Sequence, residues 1–231
     1  MAAVLACTGK EKNTIPPTHC DETTSIQTLE DGTHLPTPEF ESDPFSLGVA
    51  SGAPLQDRVI LWTRIVTDPF AEDGLGGIED NEVPVQWEIA SDPDFTDIIN
   101  QGIVATTNSL AHAVHIDAGG LEPETVYWYR FSIGEWISPI GRTKTTPCPT
   151  DTPSALRIAA TTCHRFEDGY FTALSNIKND LPDILFQLGD YIYEYGYKDE
   201  VRIQPDDRIS DLTGYRKRYA LYRTDPDLQS A

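Results

Sequence analysis

Basic residues are scarce in this sequence: 17 lysines and arginines stand against 37 aspartates and glutamates, for a net charge of -20. With no basic stripe to displace counterions, the composition argues against a nucleic-acid or anionic-membrane partner. It fits a solvated acidic surface. Long apolar runs are also missing. None approaches the roughly 20 residues that span a bilayer, although a hydrophobic content of 39% is enough for cores. Cysteine is too sparse for a disulfide-built fold, being confined to Cys7, Cys20, Cys148 and Cys163. Cys20 and Cys148 could pair, but the sequence does not choose among the connectivities. Cys7 follows Val4-Leu5-Ala6, part of a lipoprotein cleavage pattern, without the charged region and full apolar stretch that should precede it. Residues 1–7 are therefore either a truncated lipoprotein start or a short apolar tail.

The 231 residues can hold one large domain or two ordinary ones. Residues 10–42 carry Pro16, Pro17, Pro36 and Pro38 and show no hydrophobic period, so 1–43 reads as leader and extended or disordered linker. Alternating or β-rich segments follow at 45–52, 58–65, 84–90, 111–117, 126–131 and 140–146, with turn residues between them. Six or seven short strands with no helical segment predict an antiparallel β-sandwich over 44–147. The run Leu121-x-Pro123-x-Thr125-x-Tyr127-x-Tyr129 is similar to the corner of a fibronectin type III module, where a tyrosine hydroxyl ties down the preceding turn. Trp62, Trp87, Tyr127 and Trp128 are most simply read as core and cross-strand packing. The proline- and threonine-rich stretch 145–153 marks a joint between domains.

Beyond that joint the pattern changes. Residues 156–161 read as a strand. Phe171, Leu174 and Ile177 recur at helical spacing over 170–178, Leu181-Pro182 ends that helix, and 183–188 is the next strand. Strand, helix, strand makes a βαβ unit with parallel strands. Residues 216–223 are predicted to be helical, with a solvated face of arginines. The parallel arrangement sets Cys163, His164, Asp190 and Tyr193 at the carboxyl edge of the sheet, where open α/β sheets place ligands. Thiolate, carboxylate and phenolate together favour a strongly Lewis-acidic ion such as ferric iron. An oxygen-rich position beside them would suit calcium, magnesium or manganese. Taken singly, each residue has a plainer explanation: Cys163 as core, Tyr191 and Tyr193 as cover for the strand end, and His164 as surface. Their convergence favours the metal site, with His164 its weakest member.

Several motifs, in order from Pro44 to the last residue, resemble the alkaline phosphatase D (PhoD-like) family. They are Phe45-x-Leu47-Gly48-Val49-Ala50-Ser51-Gly52, Asp57 through Arg64, Trp87-Glu88-x-Ala90-x-Asp92-x-x-Phe95 and Gly120 through Phe131. They continue with Cys163, then Gly169-Tyr170-Phe171, then Leu188-Gly189-Asp190-Tyr191-Ile192-Tyr193-Glu194. The resemblance implies a fibronectin type III/Ig-like sandwich followed by the first βαβ part of an α/β metallophosphoesterase domain over 154–231.

It also implies a secreted, periplasmic or cell-surface phosphomonoesterase or phosphodiesterase, a location that the lipoprotein-like pattern before Cys7, a candidate lipid anchor, would suit. The substrate would be a small phosphate ester or phospholipid, hydrolysed by hydroxide activated between two cations. Cys163, Asp190 and Tyr193 match iron-binding positions, and Asp190 is the bridge to a second metal: Fe(3+) with Ca(2+) or another divalent ion. Those cations would supply the positive charge that the acidic surface lacks. His164 stands where the family has a polar residue such as glutamine and inherits no role. The family's later Trp-Asp-Asp-His-Glu-like motif, histidines and asparagines do not occur before Ala231. This implies an incomplete fragment with half a metal site and little activity alone. The competing readings are an extracellular binding module and an inactive truncated paralogue.

Overall fold

The computed structural model describes residues 38–79, 81–196, 201–204 and 208–231. Cys7, Cys20 and most of the expected leader lie outside the described residues. Eight antiparallel strands come first: β1 (Val49–Gly52), β2 (Arg58–Arg64), β3 (Val83–Ala90), β4 (Ile98–Thr106), β5 (Ala113–Gly119), β6 (Val126–Ile133), β7 (Trp136–Ile137) and β8 (Gly141–Lys144). They form two sheets. One has the order β1-β2-β5; the other has the order β4-β3-β6-β7, with β8 also on β6.

Period-two alternation decides which face each residue takes. Val59 and Leu61 of β2, Val114 and Ile116 of β5, Val85, Trp87 and Ile89 of β3, and Tyr127, Tyr129 and Phe131 of β6 form one buried cluster. The inner faces of both sheets thus close on a single core. Tyr127 does what its corner motif predicts: its hydroxyl accepts a 2.8 Å hydrogen bond from the Glu122 backbone N–H.

Two strands escape the sequence reading. β7 is only two residues long. β4 reads Ile-Ile-Asn-Gln-Gly-Ile-Val-Ala-Thr and does not alternate. It lies at the sheet edge with Ile98, Ile99 and Ile103 more than a third exposed. Its glycine is needed because Gly102 sits opposite Trp87, and a Cβ there would come within 2.8 Å of the indole Nε1.

After residues 145–157, which form no regular element, β9 (Ile158–Thr161) pairs in parallel with β10 (Ile184–Gln187). The connection between them departs from the expectation for 170–178. In place of one helix there are two single turns, α1 (Thr172–Ser175) and α2 (Ile177–Asp180). The apolar spacing is real, since Phe171 and Leu174 are buried. However, Ser175 and Asn176 both donate side-chain hydrogen bonds to the Thr172 carbonyl, and such local bonds compete with a continuous helix. Leu181 then adopts a left-handed conformation, φ 46°, ahead of Pro182.

The chain ends in α3 (Leu212–Arg223), capped by the Asp211 carboxylate, and α4 (Pro226–Gln229), capped by Asp225. The expected solvated arginine face on α3 is a misreading. Arg218 and Arg223 are buried because their guanidinium groups satisfy backbone carbonyls inside the fold. Arg223 donates to Leu47 and Val49 of the β-sheet region, and Ala220 packs with Leu47 and Val66. Trp62 meets Tyr219 edge-on at 6.1 Å. The last helix pair is therefore bolted onto β1 and β2. No helix among the described residues is long and apolar enough to cross a membrane.

Candidate metal centre

β9 and β10 run parallel, so the turns that follow them emerge side by side. They are tied through one atom, the Gly189 carbonyl oxygen. It accepts from the Cys163 N–H at 3.2 Å, the Thr162 hydroxyl at 3.3 Å and the Gln187 side-chain amide at 2.6 Å. Thr162 and Gln187 belong to the site's framework, and a sequence reading misses them because neither is a typical ligand.

Both turns pass through the left-handed region at non-glycine residues, Cys163 at φ 57° and Asp190 at φ 49°. Such conformations cost on the order of 1 kcal/mol or more for residues with a Cβ. Here they aim the two side chains at each other. The Cys163 Sγ lies 3.6 Å from Asp190 Oδ2, and the Tyr193 hydroxyl donates to the same oxygen at 3.2 Å. The structure thus brings together the three residues singled out from the sequence, on an exposed edge.

Strain at Cys163 makes a direct prediction. Cys163→Gly should be about 1 kcal/mol more stable than Cys163→Ala, because glycine alone takes a positive φ without cost. Chemical denaturation of the two variants checks this, and equal stability would mean that the turn relaxes.

A thiol, a carboxyl and a phenol converging within 3.6 Å of one oxygen can close on a single cation. Desolvation, with Cys163 and Asp190 beside it, holds the Tyr193 phenol above the usual tyrosine range. Ionising it therefore calls for a neighbouring positive charge. Among the described residues, no group of three His, Cys, Asp or Glu side chains gathers for a metal. The donor set brought together at this edge is instead one thiol, one carboxylate and one phenol.

The remaining candidates point elsewhere. The surface placement expected for His164 does not hold. Its ring turns inward, edge-on to Phe171 at 4.9 Å and Tyr191 at 5.3 Å, and neither ring nitrogen has a hydrogen-bond partner. Burial pushes its imidazole below the ordinary value. Tyr191 stacks on Tyr219 at 5.4 Å, and burial raises its phenol. The Glu194 carboxylate accepts from the Tyr215 hydroxyl at 3.0 Å. All three support the edge from behind. So does Arg218, which donates to the Tyr193 carbonyl from α3.

The PhoD-like phosphatase N-terminal domain model matches residues 31–147, and the PhoD-like phosphatase model matches residues 158–231. Alkaline phosphatase D of Bacillus subtilis (strain 168) is 45% identical over 200 residues, covering 84% of this chain and 34% of that protein. A solved structure of PhoD superposes with a TM-score of 0.80 at 45% identity, covering 84% of this chain and 38% of the other. The chain spans about a third of the length of the curated relative it matches. Two family models in tandem, along with a common fold at this identity, lead to one assignment: the chain belongs to the PhoD-like phosphatase family.

Proposed function

We propose that this chain builds one side of the metal centre of a phosphoesterase of the alkaline phosphatase D type. The observation that carries the reading is the convergence of the Cys163 thiol and the Tyr193 hydroxyl on Asp190 Oδ2, at the carboxyl end of a parallel strand pair. Cys163, Asp190 and Tyr193 would hold ferric iron, a match of soft and hard anionic donors to a strongly Lewis-acidic ion. Asp190 would also help to hold a second cation, calcium or another divalent ion. When bound, such cations supply Lewis acidity toward phosphate oxygens and the positive charge that a chain of net charge -20 lacks.

The substrate class is a small phosphate ester or a phospholipid, met in a secreted, periplasmic or cell-surface location. In this reading residues 44–147 form a fibronectin type III-like domain, supported by the Tyr127 corner. Residues 154–231 open an α/β metallophosphoesterase domain, supported by the parallel β9–β10 pair. The chain's own residues orient the donors: the Gly189 carbonyl locks the two turns, and α3 holds Tyr193 by its backbone.

Ferric iron retained after desalting tests the metal half, with the purified chain beside Asp190→Ala. The wild type is expected to keep about one equivalent and the variant almost none; equal retention ends the reading. Assay of the loaded chain with a chromogenic phosphate diester, with and without calcium, tests the other half. Turnover that disappears in Asp190→Ala supports it, whereas iron without turnover confines this chain to metal binding.

A further inference from the structure

We infer that Arg165 is a positioning residue for the Tyr193 ring, an inference that rests on the metal-centre reading for its functional consequence. Arg165 follows Cys163 by two residues, so one short segment carries both a donor and the group that orients another donor. Its guanidinium carbon lies 4.1 Å from the centroid of the Tyr193 ring and 5.1 Å from that of Tyr195. The guanidinium is fixed at its other side. Nη1 donates to Glu167 Oε1 at 2.9 Å and to the Tyr195 carbonyl at 3.1 Å. The Glu167 carboxylate is buried to 1% exposure and Arg165 to 9%, while the Glu167 carbonyl is taken by the Val201 N–H at 2.8 Å.

Two facts favour a positioning role over plain stabilisation. A buried ion pair recovers little more than its desolvation cost, so stability alone explains this one poorly. A planar cation lying on an aromatic face, in turn, restricts where that ring can go. Tyr193 is restrained in two further places, its carbonyl by Arg218 and its hydroxyl by Asp190. With the ring face covered as well, the phenol oxygen is held beside Asp190 and Cys163 before any ion arrives. Groups that orient a ligand in this way typically carry about 10–100-fold of metal affinity.

The test compares the wild type with Arg165→Lys, which keeps the charge but cannot lie flat, and with Arg165→Met/Glu167→Gln, which removes the pair without stranding a buried charge. Fluorotyrosine placed at position 193 alone reports the ring in the metal-free chain by fluorine NMR. The wild type should give one sharp resonance displaced from that of free fluorotyrosine, and both variants should move it most of the way back. In ferric iron titrations of the unlabelled proteins, the variants should bind about 10–100-fold more weakly and shift the tyrosinate charge-transfer band. An unchanged resonance with unchanged iron affinity in both variants overturns the inference while leaving the metal centre in place. A wild type that takes up no iron, with a resonance that still depends on Arg165, sinks the metal-centre reading and keeps the ring placement.

Discussion

Truncating Arg223 to alanine is expected to destabilise the protein by about 3–5 kcal/mol, because two backbone carbonyls lose a charged donor. The guanidinium Nε and Nη2 reach the Leu47 carbonyl at 3.1 and 2.9 Å, and Nη2 also reaches the Val49 carbonyl at 3.0 Å. Hydrogen bonds to a charged donor are worth roughly 1.5–3 kcal/mol each, and the stranded carbonyls add a desolvation cost. The same group lies 5.3 Å from the Trp62 ring, so packing is lost with the charge. Equilibrium denaturation measures the effect. A loss below about 1 kcal/mol would mean that the other contacts of α3, among them Ala220 on Leu47 and Val66 and Tyr219 on Trp62, suffice to dock it. The consequence reaches the candidate centre, because α3 also carries Arg218, which holds Tyr193, and Tyr219, which stacks on Tyr191.

Trp87→Ala is expected to cost a similar 3–5 kcal/mol, by a different route. The indole is 2% exposed and sits between the two sheets, over Gly102 of the edge strand β4. Removing it leaves a cavity that the surrounding strands cannot collapse, since their register is set on both sides of β3. The pairing with Gly102 makes a sharper test. Gly102→Ala should destabilise the wild type by overpacking against the indole, and should cost much less once Trp87 is alanine. A double-mutant cycle reads the coupling; strictly additive losses would contradict the contact.

How much was legible beforehand followed from where each signal lay. The strands β2, β3, β5 and β6 announced themselves because each buries one face, and period-two alternation is the imprint of that burial. β4 did not, because an edge strand half open to water is free to spend positions on asparagine, glutamine and a glycine chosen for its neighbour. The helical spacing of Phe171, Leu174 and Ile177 does mark a packed face, with the first two buried and Ile177 partly so, but the single helix it predicted is broken into two turns. Apolar spacing reports which face is buried and is blind to serine and asparagine side chains that pull the backbone aside.

The arginines of α3 were the largest misreading. A charged residue is normally solvated, and only a fold that presents the free carbonyls of residues 47, 49 and 193 makes burying a guanidinium favourable. His164 is the converse case, a polar ring drawn inward by the aromatic surfaces of Phe171 and Tyr191.

The sequence by itself determined the all-β first part, the parallel β9–β10 pair and the nearness of Cys163, Asp190 and Tyr193. Alternation, helical spacing and the parallel crossover rule act locally and leave their record in residue order. Only the tertiary structure decided that Asp190 Oδ2 is the shared oxygen and that both turns run left-handed to reach it. It alone showed that Arg165 lies over the Tyr193 ring, that Arg218 holds the Tyr193 carbonyl, and that Arg223 anchors α3 to the carbonyls of Leu47 and Val49. Those outcomes depend on contacts between residues as far apart as Leu47 and Arg223, which no local pattern encodes.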